Sequence, residues 1–203
     1  MSDPRPALEA LLDELTQRGS PLGAHLRPGL PAQDVAAGVS AAGAAAHADV
    51  VSLYAWHDGF DRFSVPVGPN GMPSLFPSHP EFNSLEEMLA VFARWRNHAA
   101  EDAAVPVRQR DGSWRAPDPE EVWSRQWFPV FEGGGSELIF ISNEESDPGS
   151  VWRHPIQDDP RRLYNSLGEA ADAIRQALVD GSLEIDGVGA YLVTSKRSTE
   201  LEI

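Results

Sequence analysis

Residues 123–142, WSRQWFPVFEGGGSELIFIS, decide the fold. Trp127 to Phe131 is an aromatic and β-branched run, and Ser136 to Ser142 follows it across Glu132-Gly133-Gly134-Gly135. Glycine takes the positive φ that tight hairpin turns demand, so the triplet reads as a turn between two antiparallel strands. In the second strand Leu138 and Phe140 point one way while Ile139 and Ile141 point the other. A strand that is apolar on both faces is covered on both, which places it inside the sheet. Pro129 has no amide to donate, so its strand belongs at an edge or carries a bulge. The expectation is an α+β fold: a small, mostly antiparallel sheet centred on the 127–141 hairpin, with helices packed around it.

Outward from that hairpin, the segments alternate between capped helices and breaker-rich loops. Asp3, Pro4 and Pro6 ahead of Leu8, Leu11, Leu12 and Leu15 predict a helix over 4–18 that stops near Gly19. Residues 21–34, PLGAHLRPGLPAQD, read as a connecting loop. Ala32 to His57 reads as helical with interruptions at Gly38 and Gly43, and Asp58-Gly59 as its left-handed end. The Pro- and Gly-rich stretch that follows predicts a short strand over Phe63–Val67 and a turn at Pro69-Asn70-Gly71. Ser84-Leu85-Glu86-Glu87 and Ser166-Leu167-Gly168-Glu169 each match a capping box, in which serine and glutamate exchange bonds with each other's amides. Residues 99–122 read as a solvated excursion. Val151–His154 reads as a third strand, 155–162 as a turn and 187–194 as a last strand, with a loose tail over 196–203. No repeat or dividing linker interrupts 1–203, so one domain is expected.

Charge narrows the function classes. The chain carries a formal net charge of −15 and no cysteine, and it lacks any apolar run near the ~20 residues that span a bilayer. Nucleic acid and anionic membrane share its sign and are disfavoured as partners; a cytoplasmic setting is the default. Disulfides, thiolate zinc sites and cysteine nucleophiles are excluded. Residues 111–160 hold eleven acids against three arginines, a local excess of eight negative charges. Such a stretch is a solvated surface or an acidic face that steers a basic protein partner.

Catalytic patterns were weighed against that reading. The six histidines (His25, His47, His57, His79, His98, His154) show no pair at metalloprotease spacing. Glu144, Glu145 and Asp147 lie too close together to stand on separate walls of a cleft, as paired catalytic carboxylates must. The glycine triplet leads into a strand and not into a phosphate-binding helix, and no serine sits on a strand-to-helix elbow. No enzymatic activity, cofactor or metal is therefore expected. Of the six tryptophans, Trp95 and Trp127 lie on apolar stripes and are expected in the core. Trp56, Trp114, Trp123 and Trp152 are less clearly inward. Structural packing is the commoner role for each, but an aromatic ringed by acids is also the composition of a binding hot spot for a basic partner. The candidate contact residues are Trp56, Asp58, Trp123, Glu132, Glu144, Glu145, Asp147 and Trp152.

Five segments in order, LYAWHDG (53–59), FNSLEEML (82–89), WFPVFEGGGSELIFIS (127–142), DPGSV (147–151) and YNSLGEAADAIRQALVDG (164–181), carry a family resemblance. Together they resemble the SUKH superfamily, which includes fungal cell-wall assembly regulators and bacterial toxin-immunity proteins. The resemblance covers about residues 26–181. Trp56, Asp58 and Gly59 match its helix-end motif, Trp127 and Pro129 its strand motif, and Ser166 and Leu167 the start of its last helix. Ser142 and Asn143 stand where many members carry an aspartate. What the resemblance implies is a non-enzymatic α+β binding domain. Its expected role is a bacterial immunity protein that neutralises a basic toxin effector domain, such as a nuclease, as a monomer or weak homodimer. A housekeeping regulatory scaffold is the alternative, and an uncharacterised hydrolase a third.

Overall fold

The fold was read from a computed structural model, which describes residues 3–77, 81–108, 112–133, 137–155 and 160–192. Its first helix, α1 (Arg5–Gln17), starts where the Asp3 carboxylate accepts from the Arg5 amide at 3.1 Å, and it buries Leu8, Leu11 and Leu15. The next segment is not all loop. After a tight turn at Leu22–His25 it forms a short strand, β1 (Leu26–Pro28). Helix α2 (Ala32–Ala41) runs through Gly38 without a break, whereas Gly43 does separate it from α3 (Ala48–Trp56). α3 ends one residue sooner than its apolar spacing predicts. His57 is already extended (φ −147°, ψ 140°) and opens β2 (His57–Phe60), which pairs antiparallel with β1.

Gly59 is therefore inside a strand and not at a helix cap, although its φ is +74°. A Cβ there would lie 2.6 Å from the Asn83 carbonyl carbon and 2.7 Å from the Ser84 nitrogen. Both the dihedral and the missing side chain let β2 press against the start of the next helix. Phe63–Val67 forms a turn instead of a strand, with Phe63 87% exposed, and the Pro69-Asn70 turn is closed by bridging between Gly68 and Gly71.

Helix α4 (Leu85–Ala103) has the full capping box: Ser84 Oγ accepts from the Glu87 amide at 3.3 Å and Glu87 accepts from the Ser84 amide at 2.9 Å. Its buried stripe includes Leu85, Met88, Val91 and Phe92, with Leu89 and Trp95 half-buried beside it. The exposed stretch after it still has structure, namely a two-stranded ribbon, β3 (Val107–Arg108) and β4 (Trp114–Arg115), then a short helix α5 (Pro119–Val122).

The main sheet has four antiparallel strands in the order β5 (Trp127–Gly133), β6 (Glu137–Ser142), β7 (Val151–Pro155), β8 (Arg161–Tyr164). β6 lies inside the sheet and buries Leu138, Ile139, Phe140 and Ile141. β5 is an edge and its register shifts between Pro129 and Phe131, as a proline without a donor requires. The strands pair up to Gly133 opposite Glu137; residues 134–136 of the glycine turn lie outside the described residues. Arg161 and Arg162, expected in the 155–162 turn, instead begin β8, which pairs with β7 through Val151 and Tyr164, Trp152 and Arg162, and Arg153 and Arg161; residues 156–159 of that turn lie outside the described residues. Helix α6 (Leu167–Val179) packs on α1 and buries Leu167, Ala171, Ile174 and Leu178. Its cap is half a box: Ser166 Oγ accepts from the Glu169 amide, but the Glu169 carboxylate takes the Asn165 amide instead. A last small pair, β9 (Glu184–Ile185) and β10 (Tyr191–Leu192), places the final strand within the expected span; residues from 193 on lie outside the described residues.

The two faces of the sheet are covered differently. On one, Phe128 and Phe131 meet Phe92 of α4, Phe76 and Phe82 at centroid distances of 5.9, 4.5 and 5.3 Å. On the other, Trp127, Phe140 and Trp152 form a row of near-parallel rings across three strands, 5.0 and 6.2 Å apart.

Candidate functional site

The eight candidate contact residues do not form one patch. Trp123 is a correction, because it has no solvent exposure and cannot reach a partner. It follows α5, which Asp118 caps by accepting from the Glu120 amide, and the end of that short helix turns the indole inward. There it meets Trp95, Trp127, Phe140 and His154 at 5.1 to 5.6 Å. Truncating a buried ring of this kind costs about 3–5 kcal/mol, so its role is packing. Trp56 is half-buried, its ring edge-on to His57 at 4.5 Å.

Asp58 and Glu132 come together at the start of α4. Asp58 Oδ1 accepts from the Leu85 amide at 2.7 Å, and Glu132 pairs with Arg94 at 2.9 Å and accepts from Asn83 at 3.4 Å. A second group surrounds the β6–β7 turn. Glu144 accepts from the Trp127 indole N–H at 2.8 Å, Asp147 pairs with Arg162 at 2.9 Å, and the Trp152 indole donates to Ser150 Oγ at 2.7 Å. Glu145 alone of the eight is exposed, the others being buried or half-buried.

The acidic face is accordingly more compensated than its composition suggests. Asp111, Asp158 and Asp159 lie outside the described residues. Of the eight remaining acids in 111–160, five have arginine partners: Glu120 with Arg96 and Arg125, Glu121 with Arg115, Glu132 with Arg94, Glu137 with Arg153, and Asp147 with Arg162. Hydrogen bonding to the Arg115 guanidinium holds the Glu121 carboxyl below its ordinary range. Three of these arginines, at 94, 96 and 162, come from outside the stretch, which is why sequence order alone hides them. Exposed pairs add little stability, about 0–1 kcal/mol each, but they cancel local field.

Exposed apolar side chains lie at Phe63, Val67 and Val179 and, grouped together, at and just before the β3–β4 ribbon. Trp114 is 69% exposed, Val105 61% and Val107 47%. Register pairing puts Arg108 opposite Trp114 and Val107 opposite Arg115, so each face carries one apolar and one cationic side chain. Trp114 is one of the four tryptophans that the sequence leaves less clearly inward, and it is not among the eight candidate contact residues. The signal for a hairpin was present, since Asp111-Gly112 lies between VR and WR, and Gly112 has φ +86°.

Two further features involve ionisable groups. A surface cavity of about 330 Å³ is lined by Ala42, Gly43, Phe92, Ala93, Arg96, Asn97 and Arg125. In the interior, His47 and Asp49 are each 3% exposed; His47 Nδ1 accepts from the Asp49 amide at 3.1 Å, and Asp49 accepts from the Leu167 amide at 3.3 Å. Burial lowers the His47 pKa and raises that of Asp49. These two groups do not line the cavity. Among the described residues no helix is long and apolar enough to cross a membrane, and no cluster of three or more histidine, aspartate and glutamate side chains could hold a metal ion. No protein-family model matches the chain, and no curated protein matches it.

Proposed function

We propose that the protein is a non-enzymatic binding domain of the SUKH type, acting in the bacterial cytoplasm as an immunity protein that occludes a toxin effector domain. The observation that carries this reading is the β3–β4 ribbon, which offers a 69% exposed tryptophan beside exposed valines and an arginine. An aromatic anchor flanked by arginine is the residue class that dominates protein–protein hot spots. The order of sequence motifs and the four-stranded antiparallel sheet with packed helices also support it. The acids play a smaller role than composition alone implies. With five of them paired to arginine, they act through the net charge of −15 on encounter with a basic partner, and the ribbon supplies the contact.

The test is affinity for the effector domain encoded beside the gene. Trp114→Ala is expected to weaken binding on the order of 30-fold, with Glu145→Gln changing it by about twofold or less. An affinity untouched by Trp114→Ala removes the ribbon from the interface. A gene neighbourhood without any toxin returns the reading to the regulatory scaffold.

A further inference from the structure

The cavity between α2 and α4 has the parts of an anion site with an apolar floor. Its floor is Phe92, 2% exposed, with Ala93 beside it and Ala42 and Gly43 after the end of α2. Its rim carries Arg96, Asn97 and Arg125. The Arg96 guanidinium is held in place, and Arg125, whose side chain is 64% exposed, reaches the same carboxylate. Arg96 Nη1 donates to the Trp123 carbonyl, and Nη2 lies 2.7 Å from Glu120 Oε1. Arg125 Nε lies 2.9 Å from that same oxygen. The Arg125 backbone is fixed on both sides, its amide donating to Glu120 Oε2 at 2.9 Å and its carbonyl accepting from the Ala45 amide at 3.2 Å.

Two guanidinium groups thus lie within ion-pair distance of one carboxylate oxygen, although neither approach has hydrogen-bond geometry, and an anion is the group this rim attracts. One carboxylate cannot use the whole fork: Nη1 and Nη2 of Arg125 and the Asn97 amide have no protein partner among the described residues. The two lining cations and the Glu120 carboxylate beside them, which does not line the cavity, sum to a single positive charge in a chain whose net charge is −15. A dianion would be repelled by Glu120, whereas a monoanion is matched. A volume of about 330 Å³ gives room for roughly ten water-sized groups, at the lower end of ligand pockets.

We propose that this cavity binds a monocarboxylate borne on a short apolar body, with Arg96 and Arg125 holding the carboxylate and Phe92 the chain. Glu120 stays beside the fork as a competing anion, and the ligand takes the donors that it leaves free. The inference does not rest on the toxin-binding reading. The same chemistry is found in free short-chain acids and in the C-terminal residue of a peptide, so the experiment uses both.

The full chain, isotope-labelled, is titrated with isocaproate, with N-acetyl-leucine and with N-acetyl-leucinamide while amide chemical shifts are followed. The two acids are expected to give saturable shifts at Ala42, Gly43 and Asn97, and the neutral amide none. Tighter binding of N-acetyl-leucine assigns the pocket to chain termini, and tighter binding of isocaproate to free acids. Arg125→Gln, at a largely exposed side chain, is expected to weaken binding by about tenfold or more, the scale of a lost charge-assisted bond. Glu120→Gln is expected to tighten it severalfold, an effect that a purely structural ion pair would not produce. Equal shifts with acid and amide, no saturable shift with any probe, or affinities indifferent to both substitutions would each overturn the proposal.

Discussion

His47 and Asp49 are two buried titratable side chains that tie the stability of the fold to proton concentration. They sit beneath the chain at Gly149, where a Cβ would come within 2.7 Å of the His47 ring, and Asp49 ties α3 to the first residue of α6. Burial lowers the His47 pKa, against a smaller opposing pull from Asp49, so the folded protein declines a proton that the unfolded chain accepts below about pH 6.5. Its contribution to stability is complete above that value and is lost as pH falls. Asp49 works the other way. Burial raises its pKa, so its charged form strains the fold near neutrality and relief comes only towards the acid range. Between pH 7 and 5.5 the histidine is expected to dominate. His47→Asn keeps an N-cap acceptor for the Asp49 amide while removing the titration. Urea midpoints at pH 7 and pH 5.5 should fall for the parent and fall less for the variant. Equal losses in both would mean that other groups carry the acid sensitivity.

At the scale of elements, the caps of α4 and α6 differ in two bonds, both donated by Ser84 to Glu87, and stability should register them. Ser84 both accepts from and donates to its glutamate, whereas Ser166 only accepts, because Glu169 is engaged with Asn165. Ser84→Ala is expected to cost about 1–2 kcal/mol and Ser166→Ala about 1 kcal/mol or less by chemical denaturation; the reverse order would contradict the reciprocal bond. The same elements show how far a single sequence reads. β6 was legible because apolar residues on both faces leave only an interior position, and Pro129 marked β5 as an edge by what it lacks. β8 was not legible: RRLY has no alternation that separates it from a turn, and its pairing with β7 is a tertiary contact that the local pattern does not encode. The end of α3 misled for a related reason, since Gly59 signals a helix cap in sequence while tertiary contact with Asn83 sets its use. The candidate site was the least legible part. Whether an acid is available depends on arginines such as Arg94 and Arg162, which lie far away along the chain.

For the whole molecule, the charge of −15 governs encounter more than attachment. With a basic partner, the association rate is expected to fall roughly tenfold or more between low salt and about 0.5 M, and the dissociation rate to change little. Stopped-flow mixing at several salt concentrations separates the two, and a salt-indifferent association rate would remove long-range steering from the account. The rims of the main sheet bear on a different kind of encounter. One is formed by β5, where Pro129 offers no hydrogen and Glu81 and Glu132 exchange backbone bonds with each other. The other is β8, only four residues long and beginning with two exposed arginines. A border strand of only four residues on one side, and an already occupied backbone on the other, leave a second copy little template for stacking strand on strand along the main sheet. Crowding this chain would therefore seldom extend that sheet from one molecule into the next.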